Sequence, residues 1–269
     1  MTAMVIRGQG LHSGARGAVS FARCGGPVVL RANGAEVAIT ALEVVATTRS
    51  TTLASRGGVI RVATLEHVLA ALAGLGVHEG VAIAIEGEEA PLADGGARVF
   101  ADAVRALGVA PGPSPLCVVA RGSVDVGASR YDFEPHDGVA VAVEVDFDGA
   151  PRARLARIAR WDGDPEDFCA RIAPARTFGF EHEVQELLAR GLASHVTPES
   201  VVVIGEDRIL SAGAPFQTDE PARHKLLDLL GDLYVYGGPP RGRVHALRPG
   251  HAATHQALHA ALARGLVRR

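Results

Sequence analysis

The segment Gly108-Val109-Ala110-Pro111-Gly112-Pro113-Ser114-Pro115 is the most turn-rich stretch of the chain and lies near its middle. Proline fixes φ and removes a backbone donor, and glycine weakens any regular element, so neither a helix nor a central strand can run through it. It therefore reads as a connection between two folding units: a first domain over residues 1–110, a linker over 111–116 and a second domain over 117–269. In the first half, Val28 to Leu30, Glu36 to Thr40 and Gly58 to Val62 read as short strands bounded by glycine and asparagine. Thr64 is placed to cap a helix over Leu65 to Ala73, which stops at Gly74 and Gly76. A buried strand over Val81 to Ile85 and a helix over Ala97 to Leu107 complete that half.

The second half repeats the order. Leu116 to Arg121, Tyr131 to Glu134 and Val139 to Phe147 read as strands, followed by helices over Pro165 to Ile172 and Glu181 to Ala189. Val201 to Ile204 and Arg208 to Leu210 form a small hairpin around Gly205-Glu206-Asp207. A helix over Arg223 to Leu233, a strand over Gly242 to Ala246 and a terminal helix from His251 to Leu266 follow. Strands followed by helices in both halves define an α+β class with two similar layered domains. No residue-level repeat links the halves.

At 269 residues and 48% hydrophobic content, the chain can bury one large core or two smaller ones. A net charge of −3 gives no basic footprint for nucleic acid. No apolar run is long enough to span a bilayer. Cys24, Cys117 and Cys169 stand alone, without a CxxC pair. With no signal peptide legible, they fit a reducing, cytoplasmic setting.

The chemistry concentrates in Arg223-His224-Lys225-Leu226-Leu227-Asp228-Leu229-Leu230-Gly231-Asp232-Leu233. On a helix, residues four apart lie roughly 40° from each other around the axis, so His224 and Asp228 share a face and Asp232 continues the stripe. The leucines fill the opposite, core-facing side. A histidine and an aspartate so placed supply nitrogen and oxygen ligands that zinc accepts. The same pair also serves elsewhere as an ordinary hydrogen-bonded contact. Glu66-His67 opens the first long helix and reads either as a base beside a ligand or as a helix-start carboxylate beside a buried histidine. His251 follows a glycine turn and could donate a proton, while His255, four residues on, makes His251/His255 a rival metal pair. Thr177, within Ala175-Arg176-Thr177-Phe178-Gly179-Phe180, could hold an oxyanion or simply end a strand. His78, His136, His182 and His195 have no partner legible in sequence. Gly8 to Gly14 lacks the third glycine and following helix of a dinucleotide loop.

Taken together and in order, GQGLHSG (Gly8 to Gly14), TLEHVLAALAGLG (Thr64 to Gly76), EAPLADGG (Glu89 to Gly96), ARTFGF (Ala175 to Phe180), EPARHKLLDLLGDLY (Glu220 to Tyr234) and Gly250-His251 resemble the zinc-dependent UDP-3-O-acyl-N-acetylglucosamine deacetylases of lipid A biosynthesis. The resemblance spans nearly the whole chain. It implies a β-α-α-β sandwich, with helices packed between two sheets and the active site between the domains. It also implies Zn2+, with Fe2+ as an alternative, on His67, His224 and Asp228. Glu66 would be the general base, His251 the general acid, Asp232 its orienting carboxylate, and Lys225 and Thr177 the oxyanion donors. Phe178, Asp146, Phe147 and Arg248 would contact substrate, and Leu192 to Phe216 would supply an inserted hairpin around the acyl chain. The expected product pair is acetate and UDP-3-O-acyl-glucosamine, made by a cytoplasmic monomer of a Gram-negative-type cell, without nucleic-acid or membrane-spanning partners. His195-Val196-Thr197 and Ser200, and Pro215-Phe216, depart from the family pattern, which makes the chain a divergent member. A zinc amidase acting on another N-acetylated sugar, or an inactive UDP-sugar-binding relative, are the alternatives.

Overall fold

The computed structural model describes residues 4–147, 155–189 and 196–269. The first half runs β1 (Val5–Gln9), β2 (Arg16–Pro27), β3 (Val29–Ala32), β4 (Ala35–Ala38), β5 (Glu43–Ala46), β6 (Thr52–Ala54), β7 (Arg61–Val62), α1 (Glu66–Gly74), β8 (Glu79–Glu86) and α2 (Arg98–Ala106). The second runs β9 (Cys117–Val118), β10 (Gly122–Val126), β11 (Ser129–Glu134), β12 (Val139–Glu144), β13 (Ile158–Trp161), α3 (Pro165–Asp167), β14 (Thr177–Phe180), α4 (Glu181–Ala189), β15 (Val201–Ile204), β16 (Ile209–Leu210), α5 (Glu220–Tyr234), β17 (Gly242–Leu247), α6 (His251–Ala263) and β18 (Val267–Arg268).

Each half builds one five-stranded sheet, in the orders β1-β2-β8-β3-β4 and β10-β11-β17-β12-β13. The two orders are the same: the strand that follows the long helix inserts between the second and third strands. β8 lies antiparallel to β2 and parallel to β3, and β17 lies antiparallel to β11 and parallel to β12. A parallel neighbour requires a crossover, which α1 and α5 provide. The residue pattern does not repeat, but the topology does. Each half also carries a small three-stranded sheet, β5-β6-β7 and β14-β15-β16.

The helices pack between the sheets, with α1 against α5, α2 against α1 and α6 against α5. All nine residues of α1 are buried, and along α5 only Lys225 is not. Burying Leu226, Leu227, Leu229, Leu230 and Leu233 stabilises by roughly 1.5–3 kcal/mol per side chain. The two helices approach so closely at Gly231 that a Cβ there would run into the backbone of Glu66. That contact sets the first turn of α1 against the middle of α5.

Several local expectations shift. Thr64 does not cap α1: it sits at φ 58° and gives its hydroxyl to Glu89, 3.0 Å away, while Leu65 occupies the cap position without a side-chain bond. A buried carboxylate that needs donors outweighs one cap. The helix expected over Pro165 to Ile172 is a short α3 followed by a π-helical turn over Phe168–Ile172, which seats Phe168 against Gly74. α5 begins three residues earlier than expected, with Pro221 in its first turn. α6 ends at Ala263 instead of Leu266, because Gly265 turns the chain at φ 68°. The strand expected over Glu36 to Thr40 gives way at Ile39 to a 3-10 turn. Val145 to Phe147 leave the β12 ladder. β1 and β2 were not legible, since β2 reads RGAVSFARCGGP, with three glycines and a proline. β2 is held between β1 and β8, and β1 pairs with β2 at the sheet edge. His195 and residues 192–194 of the expected hairpin insertion lie outside the described residues. No helix of the described residues is long and apolar enough to cross a membrane.

Candidate active site

α1 presents Glu66 and His67 in its first turn. α5 presents His224, Lys225, Asp228 and Asp232 along the face that meets it. The ligand atoms of His67, His224 and Asp228 all lie within 4.8 Å of one another, and this is the group of metal-ligating type found among the described residues. Asp228 Oδ1 is 3.6 Å from His67 Nε2 and 3.4 Å from His224 Nε2, and the two imidazoles meet edge-on with centroids 5.0 Å apart. His224 Nδ1 lies 3.0 Å from the Ala175 carbonyl, so Nδ1 carries the proton and Nε2 keeps its lone pair for a cation. Lys225 donates to Asp228 Oδ2 at 2.8 Å, leaving Oδ1 to face the histidines. Two imidazole nitrogens and one carboxylate oxygen converging in a buried site fit a divalent metal.

The electrostatics follow from this crowding. Burial pushes the Glu66 carboxyl up. Burial opposes the charged form of Asp228, but Lys225 and His224 override it and hold its carboxyl well below the usual range. Burial drives His224 down to about 4, so its imidazole is neutral and free to act as a ligand. His251 behaves oppositely. Burial disfavours its imidazolium, yet the Asp232 carboxylate, 2.9 Å from Nδ1, raises it to about 10. Its other nitrogen, Nε2, belongs to a residue that lines the cavity.

That cavity measures about 850 Å³. Its lining combines Glu66, His67, His224, Lys225, Asp228 and His251 with Thr177, Phe178, Asp146, Phe147 and Arg248, so every site residue expected from sequence except the buried Asp232 borders one space. Asp146 pairs with Arg248 and with Arg157, 3.2 Å away. Phe147, Phe178 and Phe180 meet edge-to-face at 6.0–6.2 Å, and Phe178 also meets His224 at 6.1 Å. Val184, Val196, Val201 and Val203 extend the apolar lining.

Sequence reading did not assign the residues that hold this lining in place. Arg176 and Glu220 form a buried ion pair at 2.8 Å that ties the start of α5 to residues 175–177, and hence to the carbonyl that orients His224. Glu89 accepts from the His12 and Ser13 amides at 2.9 and 2.8 Å, which brings Leu11 and His12 to the cavity wall. A carboxylate, not a phosphate, thus fills the Gly10–Gly14 turn. The rival His251/His255 metal pair does not form: both His255 nitrogens are engaged, by Thr51 and Tyr236, each at 3.1 Å. His78 and His182 do have ring partners, stacking on Tyr234 and Phe180.

A His/His/Asp cluster flanked by a buried carboxylate and a carboxylate-backed histidine, all at one cavity, has the make-up of a metal-dependent hydrolase. Residues 1–263 match the family described as UDP-3-O-acyl N-acetylglycosamine deacetylase, and the chain belongs to it. It is 35% identical over 260 residues to the UDP-3-O-acyl-N-acetylglucosamine deacetylase of Myxococcus xanthus (strain DK1622), covering 93% of this chain and 81% of that protein. It is 32% identical over 226 residues to the enzyme of the same name from Pseudomonas entomophila (strain L48), covering 83% and 74% respectively.

Proposed function

We propose that this protein hydrolyses the N-acetyl group of UDP-3-O-acyl-N-acetylglucosamine, giving acetate and UDP-3-O-acyl-glucosamine, in lipid A biosynthesis. The observation that carries the reading is the convergence of His67, His224 and Asp228 between Glu66 and the Asp232–His251 pair. The three ligands would hold one divalent ion, Zn2+ by donor type with Fe2+ as the alternative, which supplies Lewis acidity to a carbonyl oxygen and draws the pKa of a water towards about 7. Glu66, its Oε2 held by the Thr51 amide at 3.1 Å, takes the proton of the attacking water. The Lys225 ammonium and the Thr177 hydroxyl oppose the negative charge that develops on the acetamide oxygen. His251, kept protonated by Asp232, gives its Nε2 proton to the nitrogen as the C–N bond breaks. Asp146, Phe147 and Arg248 are suited to the nucleotide, Phe178 to the sugar, and Phe180 with the cavity valines to the acyl chain. A reducing, cytoplasmic setting fits three free thiols.

The test is incubation of the metal-loaded protein with UDP-3-O-acyl-N-acetylglucosamine, with loss of the acetyl group followed by mass spectrometry. Turnover that a chelator abolishes and Zn2+ restores supports the reading. One equivalent of bound metal with no turnover of this substrate would overturn it.

A further inference from the structure

Thr51 belongs to none of the motifs at the site, yet it is completely buried and all of its polar groups are committed there. Its amide donates to Glu66 Oε2 at 3.1 Å. Its carbonyl accepts from the Leu65 amide at 3.4 Å, at the start of α1. Its hydroxyl donates to Asp232 Oδ1 at 2.6 Å. A carboxylate can only accept, so the single hydroxyl proton points at Asp232 and the Thr51 oxygen is left to accept from His255 Nε2–H, 3.1 Å away. His255 Nδ1 then accepts from the Tyr236 hydroxyl at 3.1 Å. Donor and acceptor roles along Tyr236–His255–Thr51–Asp232 are therefore fixed, each group donating toward the Asp232 carboxylate, and His251 Nδ1–H donates to the same carboxylate from the other side.

We propose that Thr51 is a positioning residue that locks the Glu66 carboxylate and the Asp232–His251 pair into one frame. The proposal rests on the reading of Glu66 as proton acceptor and His251 as proton donor. Asp232 Oδ2 is held by His251 Nδ1 at 2.9 Å, and Oδ1 has Thr51 at 2.6 Å, with His255 only at 3.5 Å. Without the hydroxyl, the carboxylate has one short bond and is free to turn about its terminal torsion, and His251 turns with it. Misplacing a proton donor by about 1 Å costs on the order of 10²-fold in rate. A loss of this kind falls on kcat, because substrate contacts are untouched.

The experiment uses Thr51→Val, which keeps the backbone bonds to Glu66 and Leu65 and replaces the hydroxyl by a methyl of similar size. The expected result is a fall in kcat of about 10–100-fold with KM within about twofold and metal content at one per chain. Thr51→Ser restores most of kcat, and Thr51→Ala, which adds no apolar bulk beside the carboxylates, repeats the loss if the valine variant fails to fold. In a His251→Ala background, Thr51→Val costs less than about twofold, because its effect runs through His251. A Thr51→Val enzyme with unchanged kcat, a loss that multiplies fully with His251→Ala, or a loss accounted for by missing metal would each overturn the proposal. If His251→Ala and Glu66→Ala themselves leave turnover intact, the reading of the site fails first. If both abolish it while Thr51→Val is silent, only this inference fails.

Discussion

The two halves share one sheet topology and one helix arrangement, but they divide the site unequally. α1 supplies Glu66 and His67 from a single turn, whereas α5 supplies His224, Lys225, Asp228 and Asp232 over more than two turns. The small sheets differ too. The segment entering β6 carries Thr51, which reaches the site from behind, while β14 and β15 supply Thr177, Phe178, Val201 and Val203 to the cavity wall. A duplicated architecture thus yields one site because the halves face each other across α1 and α5, and each contributes what the other lacks. The first half brings Glu66 and His67, with Leu11, His12, Thr48 and Arg49 on the cavity wall. The second brings His224, Lys225, Asp228 and His251 and the rest of that wall.

The largest test of that division removes a ligand from either side. His67→Ala and His224→Ala should both lose tightly held metal, measured by elemental analysis after gel filtration, along with nearly all turnover. Metal retained in one variant alone would mean that half is dispensable. Next, Glu66→Ala and His251→Ala should each lower kcat by about 10²–10⁴-fold while leaving one metal per chain. Metal loss in His251→Ala would instead revive the His251/His255 site. Gly231→Ala attacks the seam itself. The added methyl has to displace the Glu66 backbone, so stability should fall by about 1–3 kcal/mol in denaturant unfolding, with weaker metal retention. By contrast, Asp232→Asn keeps the shape and removes the charge. Because that carboxylate raises His251 towards about 10, its loss lowers the pKa of the proton donor, so the alkaline limb of the pH–rate profile should move to lower pH. An unmoved limb would assign it to another group. The smallest effect is expected from Phe180→Ala on the cavity wall, which should raise KM several-fold for a long-acyl substrate and hardly at all for a short one.

How much of this was legible depends on how far each residue's role extends along the chain. His224, Asp228 and Asp232 lie on one helix at spacings that fix their common face, so their grouping follows from 3.6-residue periodicity. The strands of the second half, the hairpin over residues 201–210 and most helices follow from apolar periodicity and turn residues. β2 was hidden because its glycines and proline give no strand signal, and only β1 and β8 on either side hold it extended. Thr64 departs from its capping pattern because a cap is a local rule, while its actual partner Glu89 is a carboxylate 25 positions away.

The sequence by itself determined the α+β class and, through ordered motifs, named the residues that the structure gathers at one cavity. Tertiary structure alone decided that the two sheets repeat one topology, that Gly231 lets α1 touch α5, and that Asp232 is held by a threonine 181 positions away. The physical reason is one of range. Helical and strand periodicities report which way a side chain points, but a buried hydrogen bond depends on which distant donor the packed core brings to it, and no local pattern encodes that choice.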